Sequence, residues 1–275
     1  MHYEEAALKQ IRFGQKKFVA EYFDKTAAGY FKWYDDDSWL GYAFVIRKLR
    51  VLELFDQESP RLEGGKVLDV GCGPAVMAQD MLDRNCEFWG VDVSKEMIRQ
   101  GEERFASNDK VHLSTGTAEI LDFPDNTFDT VMSMGVIEFV DNDQQALEEM
   151  MRVLKPDGTL IVAFMSKHSP FRLWRDFVFY PLTSLIRPVF YRFTKRLRKP
   201  HIKQRTYTEK AIRNLLSQNQ YAVSDVVYCN FNIFLPPLEH IFSRLSAAVS
   251  SKLEFLGRSK LKWIGGAFIV KARKI

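Results

Sequence analysis

The stretch Val67-Leu68-Asp69-Val70-Gly71-Cys72-Gly73-Pro74-Ala75 decides the fold. Its first half continues a β-branched apolar run from Lys66 to Val70, entered from a Glu63-Gly64-Gly65 turn, and reads as a strand buried on both faces. Its second half sets two glycines where that strand gives way to a helix-like segment, Pro74 through Arg84. Glycine tolerates positive φ and lets a ligand approach the backbone, while a helix start offers N–H groups that lack internal partners. A dinucleotide fingerprint would need a small third residue after Gly71 and Gly73, but that position is Val76, whose branched side chain does not suit tight helix–strand packing. No GKS or GKT follows, so a phosphate-binding P-loop is excluded.

Outward from this loop, strand and helix patterns alternate. Phe88–Val93 reads as a strand, and Ser94 as the N-cap of a helix running to about Phe105. Val111–Ser114, Phe128–Ser133 and Thr159–Met165 supply three more strands. A helix over Asp141–Leu154 precedes the last of them, with Pro156-Asp157-Gly158 expected as the intervening turn. A capped helix from Thr208 to Gln218, a strand at Tyr221–Tyr228, a helical stretch around Leu238–Leu253 and a strand at Ala267–Ala272 close the chain. Upstream, Phe18, Val19, Tyr22 and Phe23, then Phe44, Val45, Leu49, Leu52 and Phe55, keep helical spacing. The expected fold is α/β: a Rossmann-like, doubly wound, mostly parallel seven-stranded sheet. The segments expected around it are an N-terminal helical cap at 1–63, a core at 64–165, a basic-aromatic lid insertion at 166–205, and a sheet-completing part with a helical insertion at 206–275.

Composition narrows the function classes. The 275 residues are 46% hydrophobic and 27% charged, the balance of a globular protein. No apolar run reaches the ~20 residues of a spanning helix, and Glu4, Glu5, Lys9 and Gln10 leave no room for a signal-peptide core, so the cytoplasm is the expected address. Cys72, Cys86 and Cys229 form no CxxC pair, and His2, His112, His168, His201 and His240 fall into no HxxxH spacing, so no metal is expected. The net charge of +4 is unevenly spread: residues 166–205 hold eleven Lys or Arg against one acid, Asp176, which leaves the other 235 residues at −6.

VLDVGCGPA resembles the first motif of class I S-adenosylmethionine-dependent methyltransferases, and four further segments follow in that family's order. They are GVDVS (90–94), GTAEILDFPDNTFD (116–129), VMSMGVIEFV (131–140) and RVLKPDG (152–158). Together they span about residues 60–165, in a style similar to ubiquinone and menaquinone methyltransferases of the small-molecule branch. The resemblance implies S-adenosyl-L-methionine as cofactor and assigns roles position by position. Asp92 would accept from both ribose hydroxyls, since a carboxylate offers two acceptor oxygens. Asp69 would orient the methionine ammonium, and Gly71, Cys72 and Gly73 would make room for the methionine and adenosine. Val93 and Met97 would wall the adenine. In the third segment the family's usual adenine-binding Asp is replaced by Thr117, which leaves more of that recognition to the Ala118 N–H, with Glu119 beside it. Ser133 and Met134 would lie at the reactive end.

The acceptor is less legible. Methyl transfer is an in-line displacement, so a base is needed only where the acceptor must lose a proton. Candidates are Glu138 and His168, then His201 and Tyr207; Phe139 stands where relatives often carry the histidine of a Glu-His pair. The 166–205 strip interleaves its cations with Phe171, Trp174, Phe177, Phe179, Tyr180, Phe190, Tyr191 and Phe193. In this family the corresponding span commonly covers the acceptor, so a lid admitting a small lipophilic acceptor is the first reading, with peripheral membrane contact as its companion. The alternative is a binding module, or an RNA or protein methyltransferase, that grips its partner with the strip. Oligomeric state leaves no mark on the sequence.

Overall fold

In the computed structural model, which describes residues 17–58, 62–179, 181–182, 204–236 and 238–274, seven strands form one sheet. They are β1 (Lys66–Val70), β2 (Glu87–Asp92), β3 (Val111–Thr115), β4 (Phe128–Ser133), β5 (Leu154–Met165), β6 (Tyr221–Cys229) and β7 (Ala267–Lys274). Their order is β3-β2-β1-β4-β5-β7-β6, with β7 antiparallel to both neighbours and the remaining pairs parallel. The order reverses direction at β1, between β2 and β4, which opens a crevice beyond the carboxyl ends of those strands, where ligands of open α/β sheets bind.

The helices that accompany the strands include α1 (17–26), α2 (Trp39–Asp56), α3 (Ala78–Leu82), α4 (Lys95–Arg104), α5 (Asp143–Val153), α6 (Pro170–Trp174), α7 (Glu209–Gln218), α8 (Leu238–Ile241) and α9 (Ser243–Leu253). Side chains of each central strand alternate between two apolar layers. Leu160, Val162 and Phe164 of β5 join α5 and α7 on one face, while Ile161 and Ala163 join α2 and α3 on the other. Ser94, Asn142 and Thr208 cap α4, α5 and α7, each accepting the N–H three residues on. Helix α2 is pinned across the sheet: Glu58, just past its end, pairs with Lys271 (3.0 Å) and Arg273, and the Tyr42 hydroxyl donates to Glu254 (3.0 Å). No helix among the described residues is long and apolar enough to cross a membrane.

Two boundaries depart from expectation. Ala75 adopts φ +60° in the loop, so the helix after it starts at Ala78 rather than Pro74. Strand β5 begins at Leu154, already paired with Phe128; the Pro156-Asp157-Gly158 segment is an irregularity within the strand, with Asp157 at φ +59°, and not a turn before it. Pro170 opens α6 at its first turn, where a missing N–H costs nothing, and a π-helical turn, Arg175–Phe179, follows. Most of the basic strip, Tyr180 and residues 183–203, lies outside the described residues, as do residues 1–16 of the N-terminal cap.

Candidate active site

Two adjoining cavities open at the carboxyl ends of β1, β2 and β4. The first, about 690 Å³ including its mouth, is built by the Gly-rich loop, the end of β2, the segment after β3 and the turn after β4. Gly71 and Gly73 stand at φ +77° and +53°, in the left-handed region. The Gly71 N–H donates to the Val91 carbonyl at 2.6 Å, and a Cβ built on Gly71 would fall 1.9 Å from Cγ2 of Val136, so only glycine fits there.

Asp92 ends β2 at the cavity wall. Its Oδ2 accepts from the Gly73 N–H (2.9 Å) and its Oδ1 from the Ser94 N–H (2.8 Å), which aims the carboxylate into the space between loop and helix. Burial raises its pKa, and the N–H groups of Ser94 and Gly73 oppose that rise. Asp69 behaves differently: it is buried, its Oδ1 has no hydrogen-bond partner, and burial first, then the nearby Asp92, pushes its pKa up to about 8.

Nine of the twelve residues that the sequence suggested for the cofactor share this cavity: Gly71, Gly73, Asp92, Val93, Met97, Thr117, Ala118, Glu119 and Met134. Three do not reach its lining. Asp69 precedes Val70, and the two-residue period of a strand turns Val70 to the cavity and Asp69 away. Cys72 folds under the loop, where a Cβ on Gly90 would meet its Sγ at 2.7 Å. Ser133 is buried with its hydroxyl donating to the Val70 carbonyl (2.8 Å), tying β4 to β1.

The other walls come from outside the motifs. Val19 and Phe23 of α1, and Tyr30 beyond it, cover the first cavity. Asp24 anchors that cover: its Oδ1 accepts from the Ser94 hydroxyl (2.6 Å) and from the Glu96 N–H (3.2 Å) at the start of α4. The signal in the sequence was density, ten aromatics between Phe18 and Phe44, rather than any spacing.

The second cavity, about 1440 Å³ with its mouth, shares Phe23, Tyr30, Met134, Gly135 and Phe139 with the first, so the two meet across the β4 turn. Its far side is aromatic: Trp33 and Phe44 lie 5.2 Å apart, Tyr34 and Phe44 5.6 Å, and Trp39 and Phe171 6.1 Å. Burial pushes the Tyr34 hydroxyl up to about 12 and that of Tyr30 well above its ordinary value, so both are neutral hydrogen-bonding groups at any physiological pH.

Glu138 lies in this second cavity, buried, with Oε2 unpartnered. Burial raises its pKa, while the charges of Arg47 and Arg172 and a hydrogen bond from Gln204 pull the other way. The other candidate bases stand elsewhere. His168 is exposed and lines neither cavity. The Tyr207 hydroxyl is spent on Asp143 Oδ2 (2.8 Å) and the Ile137 carbonyl (3.1 Å). His201 lies outside the described residues. Among the described residues no group of three or more His, Cys, Asp or Glu side chains is placed to hold a metal ion.

Residues 68–162 match the family described as "Methyltransferase domain". The chain is 32% identical over 160 residues to the demethylmenaquinone methyltransferase of Symbiobacterium thermophilum, covering 55% of this chain and 62% of that protein. It is 33% identical over 130 residues to the ubiquinone/menaquinone biosynthesis C-methyltransferase of Geobacter sulfurreducens, covering 45% and 50%. The chain thus spans half to three-fifths of the length of these curated relatives. In fold it is similar to the magnesium protoporphyrin IX methyltransferase of Synechocystis PCC 6803 with bound SAH, with a TM-score of 0.61 at 15% identity over 94% of this chain and 100% of that one.

Proposed function

We propose, from the premise that residues 68–162 form a methyltransferase domain of the class I S-adenosylmethionine-dependent family, that this chain transfers a methyl group to a small, lipophilic acceptor. The observation that carries the reading is the joining of the two cavities across Met134 and Gly135, one edged by Asp92 and the Gly-rich loop, the other aromatic. The first cavity suits the cofactor chemically: Asp92, on its wall, offers a carboxylate to a vicinal diol. Val93 and Met97 supply an apolar wall, and Ala118 a backbone N–H, for a flat base.

When bound, S-adenosylmethionine supplies a methyl group on a positively charged sulfur. The chain's own residues align and exclude water. Phe23, Tyr30 and Phe139 close the junction of the cavities, which keeps a water molecule from competing as acceptor. Glu138, whose pKa burial raises, takes the proton at Oε2 where the acceptor is a hydroxyl or an amine. The aromatic walls favour a lipophilic acceptor, and the quinone chemistry in the relatives' names agrees with a small molecule.

A companion reading, peripheral membrane contact, is favoured by the exposed Trp174, Phe177 and Val178 beside Phe171 at the second cavity, together with the +10 strip that begins there. Binding to anionic vesicles at low salt that is lost on Trp174→Ala with Phe177→Ala supports this contact, and wild type that ignores such vesicles removes it. The functional reading is tested by incubating the protein with methyl-labelled S-adenosylmethionine and separate lipid, quinone, RNA and protein fractions. Label recovered in the organic extract supports a lipophilic acceptor. Label confined to RNA or protein, or no transfer at all, contradicts it.

A further inference from the structure

We propose that the acceptor is an aromatic acid, a planar ring system carrying a carboxylate or similar anion that Arg47 holds; this rests on the reading of the second cavity as the acceptor site. Arg47 reaches from α2 toward the turn after β4, where a Cβ built on Gly135 would lie 3.2 Å from its Nη1. Its Nε donates to the Ala43 carbonyl (3.1 Å) and its guanidinium sits 4.9 Å from the centre of the Phe44 ring, two contacts that fix its plane within the cavity wall. Its two terminal nitrogens have no hydrogen-bond or ion-pair partner among the described residues.

Arg47 is half-buried and a guanidinium cannot shed its charge, so covering its accessible donors with an occupant that brings no anion is costly. The cavity offers little within the protein to neutralise it. Arg47, Arg172 and Arg175 face the space against a single carboxyl, Glu138, which feels the charge of Arg47 without forming an ion pair with it and which burial biases toward the neutral form. Arg175 is matched by Asp176 (2.8 Å) and Arg172 turns toward Gln204 Oε1 (3.5 Å), which leaves Arg47 as the cation whose free donors point to an occupant. Two parallel N–H donors match a carboxylate edge, and Trp33, Tyr34 and Phe44 give flat apolar surface beside them for the ring that carries it. A neutral hydrocarbon acceptor would strip water from the guanidinium and return nothing.

The test titrates wild type, saturated with S-adenosylhomocysteine, with fluorescent 6-hydroxy-2-naphthoate and with its uncharged carboxamide. The acid is expected to bind about tenfold more tightly than the amide, the scale of a hydrogen-bonded charge pair. Arg47→Gln should bring the two ligands to within about twofold, and Arg47→Lys should keep part of the preference, while S-adenosylhomocysteine affinity, measured by calorimetry, stays within about twofold in both variants. Equal binding of acid and amide by wild type, or binding of neither, overturns the proposal. So does a loss of S-adenosylhomocysteine affinity in Arg47→Gln as large as the loss for the acid, which would assign the guanidinium to the cofactor. If wild type fails to bind S-adenosylhomocysteine at all, the functional reading falls first, and this one with it.

Discussion

The two cavities are built by opposite means. The first is assembled from ends of strands that neighbour one another in the sheet, and its critical positions are set by the backbone: Gly71 at φ +77° against Val136, Gly73 donating its N–H to Asp92, Ser94 capping α4. The second is assembled from side chains of α1, α2, the β4 turn and α6, which meet only in the folded protein. Where backbone geometry dictates residue type, a short motif results; where packing of large side chains makes the wall, many sequences serve. The first cavity can therefore be recognised from a few residues, whereas the second, the proposed acceptor site, leaves no such motif.

The largest effect should come from Gly71→Val. The new side chain would collide with Val136 and hold positive φ at a residue that resists it, so S-adenosylhomocysteine binding should fall by more than about a hundredfold in calorimetry, with turnover lost as well. A variant of full affinity would break the claim that the loop is fixed by its backbone.

Phe44→Ala sharpens the contrast from the other side. Phe44 lines only the second cavity and packs on Tyr30, Trp33 and Tyr34, so acceptor kcat/KM should drop about tenfold or more while cofactor affinity changes by less than about threefold. Equal losses in both measurements would mean the cavities act as one site.

The Asp69→Asn variant gives a smaller effect whose sign follows from burial. The folded protein keeps a proton on Asp69 up to about pH 8, well above the carboxylate's ordinary range, so it binds more protons than the unfolded chain in between. Stability from this group is fully present below that ordinary range and is lost as pH rises toward about 8. Asparagine removes the loss: the gain in Tm of the cofactor-free protein should be slight at pH 5, grow to about 5 °C by pH 8 and level off above it. A gain independent of pH would show that Asp69 is ionised throughout.

The contrast between the cavities also explains what the sequence made legible. The strand-loop-helix at 67–75, the acid ending β2 and the N-cap of α4 were readable because each is a local solution to a backbone requirement, and the seven-stranded sheet followed from their alternation. Asp69, Cys72 and Ser133 belong to the same motifs yet stand behind the cavity rather than on it, because period-two alternation and the fold of the loop turn them inward, which a motif match does not resolve. Tyr30 and Arg47 were not picked out at all, and Phe23 only as part of a helical apolar pattern. Phe23 and Arg47 lie on helices and Tyr30 in the turns between them, where the aromatic spacing is equally that of ordinary core packing, and only the Asp24–Ser94 contact and the docking of α2 bring them to the site. His168 is the converse case: a polar residue next to a strand end reads as a candidate base, and the fold leaves it exposed, outside the lining of both cavities.

Whether the first cavity holds S-adenosylmethionine through Asp92 is decided by calorimetric titration of S-adenosylhomocysteine into wild type and Asp92→Ala, with near-ultraviolet circular dichroism to establish that both are folded. Binding to wild type should be saturable and one-to-one, and weakened by about 1.5 to 3 kcal/mol in the variant, the range for a hydrogen bond to a charged group. Unchanged affinity in a folded Asp92→Ala protein would contradict this role of Asp92.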